Sequence, residues 1–176
     1  MDKTKLYSIK LGFIIALAGT LLMLLLLAIN FVGPSAVLND NFMIGGTILF
    51  ISLYVFLFFG IYKAISFAKS SNDGDITFKK AFIQGILTSM STAIFAVIFT
   101  VIFYELMYPD YVESMQEVLT EKMSDQNLNA AEMELKINEQ TKYYSTGMQA
   151  QFSFVGNLIT GLAFTLILSL FLKSKK

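Results

Sequence analysis

Asp110, Glu113, Glu117 and Glu121 recur at helical spacing in the stretch PDYVESMQEVLTEKM. At about 100° per residue the four carboxylates fall on one narrow stripe. Two chemistries suit such a stripe: divalent-cation binding, and a docking ridge for a basic partner. Like charges at these intervals repel slightly, and either ligand would relieve that. Calcium, however, needs oxygens converging from several directions, which one evenly spaced stripe does not supply. A solvated helix face is therefore the preferred reading, with the four residues kept as a candidate partner or cation surface.

A second set is uncharged. Gln84, Thr88, Thr92, Ala96, Thr100 and Tyr104 recur every four residues, as do Ser153, Asn157, Gly161, Thr165 and Ser169. Gly12, Ala16 and Thr20 repeat the pattern more weakly. Small and hydroxyl residues on such a ridge let helices approach closely and hydrogen-bond to each other. The same ridges could line a polar pathway, with Gln84 and Asn157 its most polar groups. Transport sites at membrane depth usually carry ionisable residues, and these ridges have none. Packing is preferred, and it makes the two segments neighbours.

Other chemistries are excluded by residue type. The chain has no Cys and no His, and all 13 of its basic residues are Lys. That removes thiol nucleophiles, the commonest general base and the bidentate guanidinium. An enzyme is not expected. No phosphate-binding glycine loop or nucleic-acid motif occurs, and nothing points to a metal or cofactor.

The elements that position these groups follow from hydropathy. Of the 176 residues, 55% are hydrophobic and only 15% charged. Four stretches free of Asp, Glu and Lys each reach the roughly 20 residues that cross a bilayer: Leu11–Val32, Phe42–Tyr62, Ala81–Tyr104 and Phe152–Leu172. In lipid every backbone group must be satisfied within the segment, so these are helices. The first is too long for the roughly 7–15-residue core of a signal peptide and is expected to be retained.

Lysines set the orientation. Lys3, Lys5, Lys10, Lys63, Lys69, Lys79, Lys80, Lys173, Lys175 and Lys176 fall on one side, against Lys122, Lys136 and Lys142 on the other. The positive-inside rule then places both termini in the cytoplasm and residues 105–151 outside. Nine carboxylates between Glu105 and Glu139 make that outer segment acidic.

The outer segment has helical patterning of its own. Tyr111, Val112, Met115, Val118, Leu119 and Met123 lie opposite the acidic stripe, and Pro109 suits a first helical position. Asn129-Ala-Ala-Glu132 reads as a capping box that opens a second helix. Ala130, Met133, Ile137 and Tyr144 share a face of that helix, and Glu132 and Lys136 form a favourable i,i+4 pair. SDQNLN, residues 124–129, supplies the turn. The apolar faces are expected to pack on each other, on the span ends or in the headgroup layer. The adjacent Gly45 and Gly46 mark close helix contact in the second span.

Three stretches, ITFKKAFIQGILTSMSTAI, YELMYPDYVESMQEVL and GNLITGLAFTLILSLFLKSKK, resemble a bacterial family of small four-span membrane proteins catalogued as domain of unknown function four-one-nine-nine. The residues carrying the resemblance are Phe78, the Phe82-to-Gly85 stretch, Tyr108-Pro109, Gly161 and the terminal lysines. The resemblance implies a bacterial inner-membrane protein and supplies no catalytic residue. The sequence thus predicts an all-α polytopic membrane protein: four spans with an extracytoplasmic helical hairpin between the third and fourth. Its surroundings are the lipid bilayer, and its expected partner is a membrane protein or a second copy of itself, with no nucleic acid. A non-enzymatic interaction or accessory role is favoured. A small oligomeric transporter or channel using the polar ridges is the alternative.

Overall fold

The computed structural model describes residues 2–124 and 129–174. Residues 125–128 of the expected turn and the terminal Lys175 and Lys176 lie outside the described residues. Regular structure within them is entirely helical: α1 (Lys3–Ala28), α2 (Pro34–Leu38), α3 (Phe42–Ser70), α4 (Phe78–Ile102), a π turn (Phe103–Met107), α5 (Tyr111–Ser124), α6 (Ala130–Lys142) and α7 (Thr146–Leu172). Four helical stretches are long and apolar enough to span a membrane: α1, α3, α4 with its π turn, and α7. The chain is an all-α protein built as a four-span membrane protein.

Helix ends follow local chemistry more closely than hydropathy. Asp2 caps α1, its carboxylate accepting from the Thr4 N–H at 3.1 Å, so the polar turn bearing Thr4 and Ser8 joins the helix. At the far end Asn30 and Gly33 take φ of 57° and 84°, and the Phe31 N–H reaches back to the Leu26 carbonyl at 2.8 Å. The apolar run to Val32 therefore overshoots the helix: apolarity reports what tolerates lipid, and left-handed residues decide where coiling stops. The GPSAVLNDN turn contains α2, with Pro34 at its first position. Pro109 is not the first residue of α5. It lies in the turn before it, because a residue preceding proline is driven out of the helical region, and Tyr108 is at φ −142°.

Central α4 packs on α1, α3 and, most extensively, α7. The bundle is tightest at the end carrying both termini, here called the termini end. Leu57, Ile61, Ile65 and Thr88 are at most 1% exposed there. Backbone and side-chain bonds close that end. Ser174 accepts from the Ile76 N–H at 3.0 Å and donates its own N–H to the Ile76 carbonyl at 2.9 Å, while Lys69 Nζ donates to the Leu172 carbonyl at 3.0 Å. That ammonium sits where the α7 dipole is negative. The outside of the bundle shows the apolar exposure a bilayer accommodates, with Ile14, Leu21, Phe59, Ile159 and Phe171 all exposed.

Candidate functional site

The polar ridges meet at the termini end. A Cβ on Gly85 would lie 2.5 Å from Thr165 Cγ2, and one on Gly161 would fall on the Ser89 side chain. The two backbones can approach this closely only because neither position has a side chain. Buried Gln84 accepts from Ser8 Oγ at 2.7 Å and donates to Thr4 Oγ1 at 3.2 Å. Thr88 and Thr92 turn their hydroxyls onto carbonyls of their own helix, those of Gln84 and Thr88, at 3.0 and 2.9 Å. Gln84, Thr88, Gly161 and Thr165 thus form packing layers. Thr165 Oγ1 and Ser169 Oγ are buried without a hydrogen-bond partner among the described residues. Ser8 and Ser91, which donates to the Ile9 carbonyl at 3.0 Å, escaped the sequence reading. Ser8 was hidden in a segment read only for its lysines, and Ser91 lies one position off the four-residue ridge of the third span.

Toward the other end, the hairpin end, the four long helices enclose a cavity of about 400 Å³. Thr92 and Asn157 line it, together with Thr20, Ala96, Thr100 and Ser153. Asn157 Nδ2 donates to the Ser153 carbonyl at 2.7 Å, and the Thr100 and Ser153 hydroxyls bond each other at 3.0 Å. The sequence ridges therefore divide, with one half used for packing and the other lining a space.

Above the cavity sits a cap made of α2, α5 and α6. The π turn re-aims the chain leaving α4, with the Tyr108 N–H bonding the Phe103 carbonyl at 2.8 Å. Tyr111 stands in an aromatic cluster with ring centroids 5.0 Å from Tyr104, 5.2 Å from Tyr108, 5.8 Å from Phe103 and 6.3 Å from Tyr144. Met115 is fully buried, and Leu119 and Met123 nearly so. Lys122 pins α5 to the α1–α3 connection through an ion pair with Asp40 and a 2.9 Å bond to the Val37 carbonyl. The expected Glu132–Lys136 pair is not formed; the Glu132 carboxylate turns back toward the Asn129 N–H instead. The capping box is formed: Asn129 Oδ1 accepts from the Glu132 N–H at 2.8 Å, and Glu132 Oε2 from the Asn129 N–H. On α6 the buried residues are Ile137 and Thr141, while Ala130 is exposed. Thr141 lies on the same face as Ile137, one turn on, so the expected face is the buried one and includes a hydroxyl that bonds the Ile137 carbonyl.

Glu113, Glu117 and Glu121 are exposed on the side of α5 away from the bundle, and Asp110 is exposed in the turn before it. No second acidic element converges on them: among the described residues no group of three or more Asp or Glu is arranged to hold a metal ion.

The family model described as "Protein of unknown function (DUF4199)" matches residues 10–174. The chain belongs to the DUF4199 family. The match runs through all four long helices, the cap and the cavity, so this arrangement describes a DUF4199 protein over nearly its whole length. No curated protein and no solved structure matches the chain.

Burial pushes the Tyr111 phenol far above its ordinary value, and Tyr144 is raised for the same reason. A raised folded-state value means that the folded cap holds protons the unfolded chain would release. Its contribution is full below the ordinary phenol value of about 10 and is lost as pH rises beyond it. Hydrogen exchange at cap amides should accordingly be flat in stability terms up to about pH 10 and lose protection above it. Tyr111→Phe, which keeps the ring and removes the proton, should flatten that alkaline decline. An unchanged decline would place the responsible group elsewhere.

Proposed function

We propose that this DUF4199 protein is a non-enzymatic accessory protein of the bacterial cytoplasmic membrane, with both termini in the cytoplasm and the cap outside. It acts by presenting the cap to a membrane-protein partner. One observation carries the reading. Helix α5 is fixed to the bundle by Tyr111, Met115, Leu119 and Met123, while Glu113, Glu117 and Glu121 project from the opposite side. A rigidly held, solvated acidic ridge costs little ordering entropy on binding and favours a basic surface by charge complementarity.

The test is crosslinking and affinity purification from native membranes. Glu113, Glu117 and Glu121 changed together to Lys should leave insertion and thermal stability within the small range typical of surface substitutions, about 0.5 kcal/mol. The same change should abolish recovery of a specific partner. Equal recovery of the same partners by both proteins would defeat the reading. Replacing the whole cap is the poorer test, because Met115 and Tyr111 also cover the bundle.

A second reading, a small oligomeric transporter or channel, has one observation in its favour: Thr92, Thr100 and Asn157 line a space between the spans. It requires Asn157→Leu to stop solute flux in proteoliposomes while stability holds. Gln84→Leu separates the two readings further. Lost bonds to Ser8 and Thr4 should cost about 1 kcal/mol, the scale of interhelical hydrogen bonds in membranes. A packing role predicts that loss of stability alone.

A further inference from the structure

The cavity has three features that together identify what fills it. The first is its wall. No charged side chain lines it, and apart from the Tyr54 and Tyr104 phenols its hydroxyl and amide groups are engaged within the protein. Thr20 donates to the Ala16 carbonyl at 2.9 Å, Thr92 to that of Thr88, Asn157 to that of Ser153, and Thr100 and Ser153 bond each other. A polar solute entering would find few free donors and would lose its hydration, whereas a hydrocarbon loses nothing. The volume of about 400 Å³ is within the range of ordinary small-molecule sites, roughly 300–1,000 Å³.

The second feature is where the cavity opens. The α1–α3 seam is closed by Gly19 against Leu53 and the α4–α7 seam by the Thr100–Ser153 bond. Helices α3 and α7 are held together at mid-depth by Phe164, packed edge-on to Phe58 and Tyr54 at 5.4 and 6.3 Å. Beyond that point toward the hairpin end, Phe50 of α3 and Phe152 and Gly156 of α7 line the cavity and are also exposed on the outside of the bundle. Residues with both properties form a lip. It lies within the apolar stretches of both helices, so what stands outside it in a membrane is lipid.

The third feature is glycine used in reverse. At Gly12, Gly19, Gly45, Gly60, Gly85 and Gly161 a Cβ would collide with a neighbouring segment. At Gly156, on the lip, and Gly46, which lines a second cavity of about 170 Å³ under the cap, a Cβ would meet nothing within 4 Å. These two glycines serve no close helix contact; they border open space. The smaller cavity shares the walls Phe103, Tyr104 and Gln149 with the larger and adds the rings of Tyr111 and Tyr144. The larger, mostly apolar cavity thus borders, on its cap side, a space walled by tyrosine rings and their hydroxyls.

We propose that the cavity takes one acyl chain of a bilayer phospholipid, which enters sideways between α3 and α7 past Gly156 with its polar end toward the tyrosines under the cap. This goes beyond the accessory reading and stands or falls separately from it, since it concerns the space beneath the cap and not the acidic ridge.

The experiment is photolabelling of the full chain in phosphatidylcholine vesicles doped with a phosphatidylcholine carrying a mid-chain diazirine, with adducts mapped by mass spectrometry. The expected result is labelling of the cavity wall at Thr20, Ala96 or Thr100, in addition to exposed Ile159 and Phe171. Gly156→Leu, whose side chain has room to occupy the lip, should cut wall labelling at least fivefold and leave Ile159 and Phe171 labelled as before. Gly147→Leu, also at an open glycine but away from the cavity, should change nothing. Labels confined to the outside of the bundle overturn the proposal in the unmodified protein, whatever the variants do. Wall labels indifferent to Gly156→Leu in a normally inserted protein overturn the α3–α7 entrance. An unaltered cavity signal with the partner lost in the Glu113, Glu117 and Glu121 variant would leave this site standing beside the accessory role.

Discussion

Gly45→Ala is expected to be the most damaging single-methyl change in the protein. A Cβ at Gly45 would overlap the carbonyl of Phe31, and that neighbour is backbone, which cannot rotate away. The Phe31 carbonyl belongs to the connection whose left-handed Asn30 and Gly33 turn the chain from α1 into α2. Relief therefore requires moving α3 or rebuilding the turn. Overpacking typically costs about 1–3 kcal/mol and more where the neighbour is rigid, and this case belongs at or above the top of that range. For a chain of this size, a loss of about 3 kcal/mol lowers the melting temperature by roughly 6–12 °C. Gly46→Ala is the internal control. Its Cβ meets open space and gains helix propensity of up to about 1 kcal/mol, so thermal unfolding in detergent should show no loss. Equal effects at the two positions would mean that the close approach at Phe31 is not a feature of the folded protein.

Met115→Asp should release the cap. Met115 is 0% exposed and sits in the cluster formed by Val37, Phe103, Tyr111 and Leu119. A carboxylate there would be desolvated with no cationic partner in the cluster, since Lys122 is engaged with Asp40 and Val37. An uncompensated buried charge costs about 3–5 kcal/mol, and the loss of methionine packing adds roughly 2 kcal/mol or more. The few contacts holding α5 and α2 to the bundle cannot absorb that. Limited proteolysis should then cut within α5 far faster than in the unmodified protein, with the four long helices still inserted. Glu117→Lys, two residues along on the opposite, solvated side, should leave the proteolysis rate unchanged. A cap that stays protected in Met115→Asp would show that α5 is held by something other than this cluster.

The same residue illustrates how tertiary structure changes a functional argument. From sequence, the apolar face with Met115, Leu119 and Ile137 could pack on the protein itself or lie in the headgroup layer. In the fold these side chains are buried in the cap and against the span ends. The surface left for recognition is the opposite one, with the acidic stripe on α5 and exposed Leu135 and Tyr143. Likewise the adjacent pair Gly45 and Gly46 reads as one close-contact signal. Only Gly45 makes such a contact, and it is with a turn; Gly46 borders a cavity.

Much of the architecture was legible because it depends on physics that acts locally along the chain. Long uncharged stretches must be helices in lipid, the four-residue spacing of small residues must form a ridge, and Asn129 and Glu132 can cap only the helix that follows them. The sequence by itself determined four spans, the amphipathic character of α5 and α6, and the pairing of α4 with α7. Tertiary structure decided which glycines are filled against and which border space, which half of each polar ridge packs, and where α5 docks. It also decided that Lys122, one lysine among the three expected outside, ties the cap to Asp40 and Val37. The physical reason is that periodicity fixes the face on which a side chain lies. Whether that face is closed depends on how near a neighbouring segment comes, and that is decided by contacts distant in sequence, such as Phe164 against Tyr54 and Phe58 and the Phe31 carbonyl against Gly45.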